Sequence, residues 1–454
     1  MNSPSRSKVS SVVLIGLGVL FSACESTDSS QASAVSTLPT PQNEIVKSPI
    51  DNRENASVVL DNKLEVMLVS DPSIEKSAVA LSVAVGSLQE PKEFGGLAHY
   101  LEHMLFLGTK SYPTVGDYSE FVSRNGGSQN AYTQLDHTNY MVAVNNDAYD
   151  EALSRFSGFF YEAILDEKYA DKERNAVHSE WTMKSPNDWV ILEQLNGSTL
   201  NPEHPISQFN WGNLESLADN ENNKLQTALL EMYNTYYSAN LMKAAMVSHL
   251  PIADMEKLAK KHFGKIPNKN TPKPQMTAVV AKPQHLKKVV HYVPQTEMKQ
   301  LRINFVIENN AKQFAVKPNG YVNYLLANEM PGTLASELRD AGLSEAVYSN
   351  YDADQYGNAG SFTLYIDLTE TGVQNRDAVM AAVLKYLSIL REQGVNPKYF
   401  SEIKQSLSNR FRFKEKTNDY NYAMNIAAGL QHIPAEYVLS SGYEYQRFSP
   451  KATQ

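Results

Sequence analysis

Gly95-Gly96-Leu97-Ala98-His99-Tyr100-Leu101-Glu102-His103-Met104-Leu105-Phe106-Leu107-Gly108 is the stretch on which the reading of this chain turns. At about 100° per residue, Leu97, Leu101, Met104 and Leu105 gather on one side of a helix as a core stripe. His99, Glu102, His103 and Phe106 gather on the other side. His99 and His103 stand one helical turn apart, so their rings can grip one ion, and Glu102 lies where its carboxylate can reach a water beside that ion. That is the H-x-x-E-H arrangement of inverted zincins. The competing reading is a solvated polar face carrying two incidental histidines. Phe106 on that face argues for a helix covered on both sides, and buried His and Glu then need partners.

A catalytic zinc site takes three protein ligands and leaves one position for water. The 171–181 segment offers candidates, because Glu173, Ala176, Val177 and Glu180 fall on one helical stripe. Acids on a stripe that otherwise reads as buried call for a cation or for hydrogen-bond donors. Surface acids beside Lys172 and Arg174 are the other reading of the same residues.

Working outward, strands are expected at 57–69 and 77–85, and helices at 95–108 and 117–124, the latter capped by Asp117. Strands follow at 128–134 and 139–144, then helices at 148–164, 169–183, 189–195 and 221–237, a strand at 241–247 and a helix at 252–263. Pro267, Pro272, Pro274 and Pro283 break regular structure and mark a boundary. Beyond it the order recurs, with strands at 288–293 and 301–307, helices at 321–329 and 333–341, and strands at 347–351 and 361–368. Helices at 374–393 and 397–416 complete it. The expected fold is α+β, with two homologous domains that are each an antiparallel sheet covered by helices, the second one truncated. The expected division is a catalytic domain over 51–266, a linker over 267–284 and a non-catalytic repeat over 285–454.

Composition sets the outer bounds. The chain has 454 residues, 42% hydrophobic and 20% charged, which is globular rather than disordered. A net charge of -9 argues against nucleic acid as a partner, because neutralising phosphates takes a concentrated basic surface. One Cys excludes a disulfide framework and Cys-rich metal sites. That residue, Cys24, follows a basic n-region with Arg6 and Lys8 and a short apolar run over 12–21. Phe21-Ser22-Ala23-Cys24 resembles a bacterial lipobox. The expectation is a signal peptide over 1–23, lipidation at Cys24 and a flexible tether over 24–50, which would place the body in the periplasm, anchored to a membrane without spanning it.

Further motifs join the helix. They include Gly108-Thr109-Lys110, Tyr112-Pro113, Ser128-Gln129-Asn130-Ala131-Tyr132-Thr133 and His137-Thr138-Asn139-Tyr140. They continue with Glu173, Asn175-Ala176-Val177, Ser179-Glu180, Asn201-Pro202, His204-Pro205 and Gly212-Asn213. Pro331-Gly332, Ser336-Glu337-Leu338 and 410–414 extend the set into the second half. Over about residues 57–448 the chain resembles the pitrilysin and insulysin family of inverzincin metalloendopeptidases. Glu180 stands at that family's spacing, 76 residues intervening after His103.

The resemblance implies one Zn2+ per chain held by His99, His103 and Glu180, with Glu102 as general base and Glu173 as an outer carboxylate. It implies that Asn130 and Ala131 lie on an edge strand pairing with substrate backbone, and Phe106 is a candidate for either a wall of the pocket or a place in the core. The activity implied is zinc-dependent hydrolysis of internal bonds in peptides and small unfolded polypeptides. In the second repeat 324–330 has no His, so one site per chain is expected. Family members are about twice this length, and the resemblance places an assisting Arg and Tyr in the part not found here. Partners are therefore expected to be peptide substrates and a missing C-terminal half or partner subunit. The alternative is a half-length or inactive scaffold subunit, against which intact Glu102 argues.

Overall fold

The computed structural model describes residues 44–453. The leader, Cys24 and most of the tether lie outside the described residues. In chain order the elements are β1 (Glu54–Val59), β2 (Glu65–Ser70), β3 (Lys76–Val83), α1 (Leu97–Leu105), α2 (Asp117–Arg124), β4 (Ser128–Thr133) and β5 (Thr138–Asn145). Next come α3 (Tyr149–Gly158), α4 (Ala170–Lys184), α5 (Asp188–Thr199), α6 (Leu225–Tyr236), β6 (Met242–Ser248) and α7 (Ile252–Phe263). The second half holds β7 (Gln300–Glu308), α8 (Pro318–Leu326), α9 (Leu334–Asp340), β8 (Ser344–Asp352) and β9 (Ala359–Leu368). It ends with α10 (Glu370–Gln374), α11 (Arg376–Gln393), α12 (Pro397–Arg412), α13 (Asp419–Gly429) and α14 (Pro450–Thr453). Among the described residues no helix is long and apolar enough to cross a membrane.

The fold is α+β with two sheets. The larger runs β1-β2-β6-β3-β5-β4 and is antiparallel except where β2 and β6 pair in parallel. Side chains alternate between its faces. Val66, Leu68, Val79, Leu81, Tyr140, Val142 and Met246 point into one core with residues of α1, α3, α6 and α7. Each large apolar side chain fully buried there contributes about 1.5–3 kcal/mol. The opposite face is built from Met67, Val69, Ala78, Ala80, Met141, Ala143, Ala245 and Val247. Four of those eight are alanines, which lets a helix settle close.

That helix is α13, from the far end of the chain, and its Tyr422, Ala423, Ile426, Ala427 and Leu430 close the second core. Asn418 caps it by accepting from the Tyr420 N–H. The sequence reading assigned no element at 419–429. The smaller sheet, β7-β9-β8, is antiparallel and packs Phe362, Leu364, Ile366 and Leu368 against Leu334, Leu338, Val379 and Val383.

Three local expectations are corrected. The single strand at 57–69 is a hairpin, β1 and β2 turning at Asp61–Lys63, with Lys63 at positive φ. Asp117 does not cap α2. The N-cap is Gly116 at φ 88°, and Asp117 in the first turn instead pairs with Arg155. The strand at 288–293 does not form. Its far end is held by the Asp188 carboxylate, which accepts from Tyr292 Oη, both the N–H and Oγ1 of Thr296, and the Gln295 N–H.

Candidate metal centre

The site is built where α1 crosses α4. The turn into α1 has no room for a side chain: a Cβ on Gly96 (φ 91°) would lie 2.1 Å from the Gly212 Cα. The Glu90 carboxylate caps the helix by accepting from the N–H groups of Gly96 (2.7 Å) and Ala98 (2.9 Å). Burial raises the Glu90 pKa to about 8, against the pull of those two donors. Val177 is fully buried between α4 and the core, which fixes the face α4 turns toward α1.

On these two helices His99, His103 and Glu180 converge. His99 Nε2 lies 3.3 Å from Glu180 Oε2, His103 Nε2 lies 3.6 Å from Glu180 Oε1, and the two Nε2 atoms are 3.3 Å apart. Each imidazole has its other nitrogen occupied. His99 Nδ1 faces the Trp211 carbonyl at 3.0 Å, and His103 Nδ1 faces Glu173 at 3.6 Å. That leaves both Nε2 atoms turned to one point, the way ligating histidines are oriented by their outer partners. Ligand atoms about 2.0–2.1 Å from a tetrahedral zinc stand roughly 3.3–3.4 Å from one another. The observed separations match that edge, and a set of two imidazoles and one carboxylate is a zinc donor set.

The electrostatics fit a cation at that point. Burial alone would lower the His103 pKa, but hydrogen bonds to Glu173 and Glu180 hold it at about 9. For His99 burial pulls the same way and the Glu180 contact again raises it. The imidazoles in turn hold Glu180 well below the usual carboxylate range.

Glu102 sits beside this point on α1. Its carboxylate is buried and accepts from Thr133 Oγ1 at 2.7 Å. Burial raises its pKa, and His99, Thr133 and His103 oppose the rise. Thr133 ends β4, so the same strand that carries Asn130 and Ala131 anchors Glu102. Among the described residues β4 is an edge strand, paired only with β5, with Asn130 exposed and Ala131 partly buried. Phe106 does not belong with this group. Its ring packs on Phe159 (5.2 Å between centroids), Tyr118 (6.0 Å) and Tyr140 (6.3 Å), in the aromatic core.

Sequence reading missed Glu90, Thr133 and the Trp211 carbonyl as parts of the site. Thr133 lay inside a quoted motif, but only the fold brings it onto Glu102. His137, His178 and His204 are not among the groups close enough to share an ion with His99 and His103. His204 caps a short turn, its Nδ1 accepting from the Ile206 N–H.

A second His and carboxylate cluster lies at the β4–β5 turn, where Asp136, His137 and His432 have ligand atoms close enough to share an ion. Here the groups already pair with one another. His432 lies between Asp136 (3.0 Å) and Asp354 (2.9 Å), and His137 faces Asp136 at 2.8 Å. Burial would lower the His432 pKa, but the two carboxylates hold it at about 9. The unfolded value is near 6.5, so this contribution is full below pH ~6.5 and lost as pH rises through 9. His432→Gln is expected to lower stability by about 2 kcal/mol at pH 6 and by little above pH ~9.5, read from urea midpoints at the two pH values. An equal deficit at both would show that the charge on His432 does not matter.

Comparisons with known proteins follow the same lines. A family model described as Insulinase (Peptidase family M16) matches residues 65–203, and one described as Peptidase M16 inactive domain matches residues 225–407. Protease 3 of Escherichia coli (strain K12) is 41% identical over 413 residues, 91% of this chain and 43% of that protein. Insulin-degrading enzyme of Homo sapiens is 37% identical over 411 residues, 90% of this chain and 40% of that one. The crystal structure of pitrilysin superposes with a TM-score of 0.89 at 41% identity, covering 91% of this chain and 44% of that one. A protease from Helicobacter pylori shares the fold, with a TM-score of 0.67 at 20% identity over 88% of this chain and 95% of that one. The chain thus spans less than half the length of the curated relatives it matches. It belongs to peptidase family M16, with the pitrilysin and insulinase proteins.

Proposed function

We propose that this chain carries the catalytic centre of a zinc metalloendopeptidase acting on peptides and small unfolded polypeptides. The observation that carries the reading is the convergence of His99 Nε2, His103 Nε2 and a Glu180 carboxylate oxygen, 3.3–3.6 Å apart, next to the buried carboxylate of Glu102. His99, His103 and Glu180 would hold one Zn2+, which when bound lowers the pKa of water and polarises a carbonyl. Glu102 takes the proton of the attacking water and passes it to the leaving amine. Glu173 and the Trp211 carbonyl hold the two imidazoles in orientation, and Thr133 holds Glu102. The open edge of β4 lines up an extended peptide through main-chain hydrogen bonds at Ala131, whose N–H and C=O turn away from β5, with the exposed Asn130 side chain beside it and little demand on side-chain sequence.

Thr133→Val tests the support of Glu102. Losing its donor raises the Glu102 pKa further, so the acidic limb of the pH–rate profile should move upward. Peptide cleavage should fall about tenfold through kcat with KM unchanged. An unmoved limb would mean that Thr133 does not hold Glu102.

Residues 51–266 form the catalytic domain in this proposal, and 285–454 belong to a repeat without a site of its own. The chain would sit in the bacterial envelope, tethered through lipidated Cys24. A second reading is that this is the chemistry-bearing half of an assembly completed by a further polypeptide. Cleavage of an internally quenched peptide by the 454-residue chain, alone and with the rest supplied separately, tests both.

A further inference from the structure

Asp136, His137 and His432 have ligand atoms that all lie within 4.8 Å of one another. They come from distant parts of the chain. Asp136 and His137 belong to the turn between β4 and β5, and His432 follows shortly after α13. Asp354, in the turn between β8 and β9, joins them from the second sheet. The geometry repeats a feature of the first centre. His432 Nδ1 faces the Asp354 carboxylate at 2.9 Å, which turns Nε2 toward Asp136 Oδ2 at 3.0 Å. A carboxylate behind one ring nitrogen is how a ligating imidazole is oriented. His137 Nδ1 faces the other oxygen of Asp136 at 2.8 Å. His137 Nε2 is buried without a hydrogen-bond partner, so nothing there dictates the tautomer and Nδ1 can offer its lone pair.

Charge points the same way. Asp352 lies within electrostatic reach of Asp136 and Asp354, and so does Lys273. With both imidazoles neutral, these three carboxylates against one ammonium leave two negative charges, which a divalent cation balances. The Lys273 ammonium is tied elsewhere, donating to the Gln431 carbonyl at 2.7 Å. The side chains of Asp136 (33% exposed) and His432 (28%) leave the group open to an ion and to the waters that complete its shell.

We infer that Asp136, His137 and His432 form a second cation site, for a divalent transition metal of the zinc class, with Asp354 as its outer carboxylate. Two imidazoles and a carboxylate select such an ion over Ca2+ or Mg2+, which take oxygen ligands. The ion displaces the proton on His432 Nε2, which leaves to solvent. The separations of 2.8 and 3.0 Å then open by roughly 0.3–0.6 Å, to the edge of a zinc tetrahedron. Bound there, the ion fastens three parts of the chain together. They are the turn just beyond Thr133, the residue that holds Glu102, the end of α13, and the second sheet.

The test is a calorimetric titration of the chelator-stripped 454-residue chain with Zn2+ at pH 8, which limits competition from the proton. Two equivalents should bind. Asp136→Asn and His432→Gln should each keep the first and weaken the second at least about tenfold, and Asp354→Asn should weaken the second by about 10–100-fold. Glu180→Ala should do the reverse. In the wild type the second equivalent should slow hydrogen exchange at 134–138 and 430–434 at least about tenfold, and Ca2+ should not. A single equivalent in the wild type, or a second one undiminished in Asp136→Asn and His432→Gln, overturns the inference. Exchange at the turn that ignores the second equivalent, or that slows equally with Ca2+, overturns it too, and this readout stands even where a variant fails to fold. None of these readouts involves cleavage, so failure here and failure of the peptidase reading are separate results.

Discussion

Glu102→Gln is expected to lower peptide cleavage at least about 10³-fold while the protein keeps its fold and its zinc. The amide has the size of the carboxylate and can still accept from Thr133 Oγ1, so packing in this buried position survives. What it cannot do is take a proton. Burial raises the pKa of the Glu102 carboxyl, against the pull of His99, Thr133 and His103. Residual cleavage within about tenfold of the wild type would remove Glu102 from the role of base.

The second large effect is on the metal. Glu180→Ala is expected to weaken zinc binding by more than about 10³-fold, because it removes one of three donors. Glu173→Gln should cost about 10–100-fold, the range for an outer partner of a ligating imidazole. The contrast matters because the acids differ in surroundings. Glu173 is buried and, of the two imidazoles, faces the far nitrogen of His103, while the Glu180 side chain is 47% exposed and reaches both Nε2 atoms. Competitive titration against a chromophoric chelator measures both. Equal losses for the two variants would mean that the ligand and outer roles are misassigned.

Much of this was legible in the order of residues. The four-residue spacing of His99 and His103 places both rings on one helix face in any α-helix, and Glu102 comes with them. Glu180 is different. Its stripe on α4 marked it as a candidate, but α2, β4, β5 and α3 separate α4 from α1 along the chain, and only resemblance selected it over Glu173. Thr133 and Glu90 were invisible because each acts through a contact that the fold creates. The 288–293 segment read as a strand because Val289, Val290 and Val293 favour one, and strands need a neighbour that is not among the described residues. α13 went unread for the opposite reason. Its buried residues include the small Ala423 and Ala427, a weak apolar signal, and what makes them core is an alanine-rich sheet face far back in the sequence.

The most direct test of the account is hydrolysis of an internally quenched, unstructured peptide by chelator-stripped protein as zinc is restored. Wild type and Glu102→Gln are run side by side, each alone and with the remaining portion of Protease 3 added. The wild-type rate is expected to rise with zinc and level off at one equivalent in at least one arrangement, with Glu102→Gln flat in both. A rate indifferent to zinc, a rate shared by Glu102→Gln, or no cleavage by folded, zinc-loaded wild type in either arrangement would contradict it.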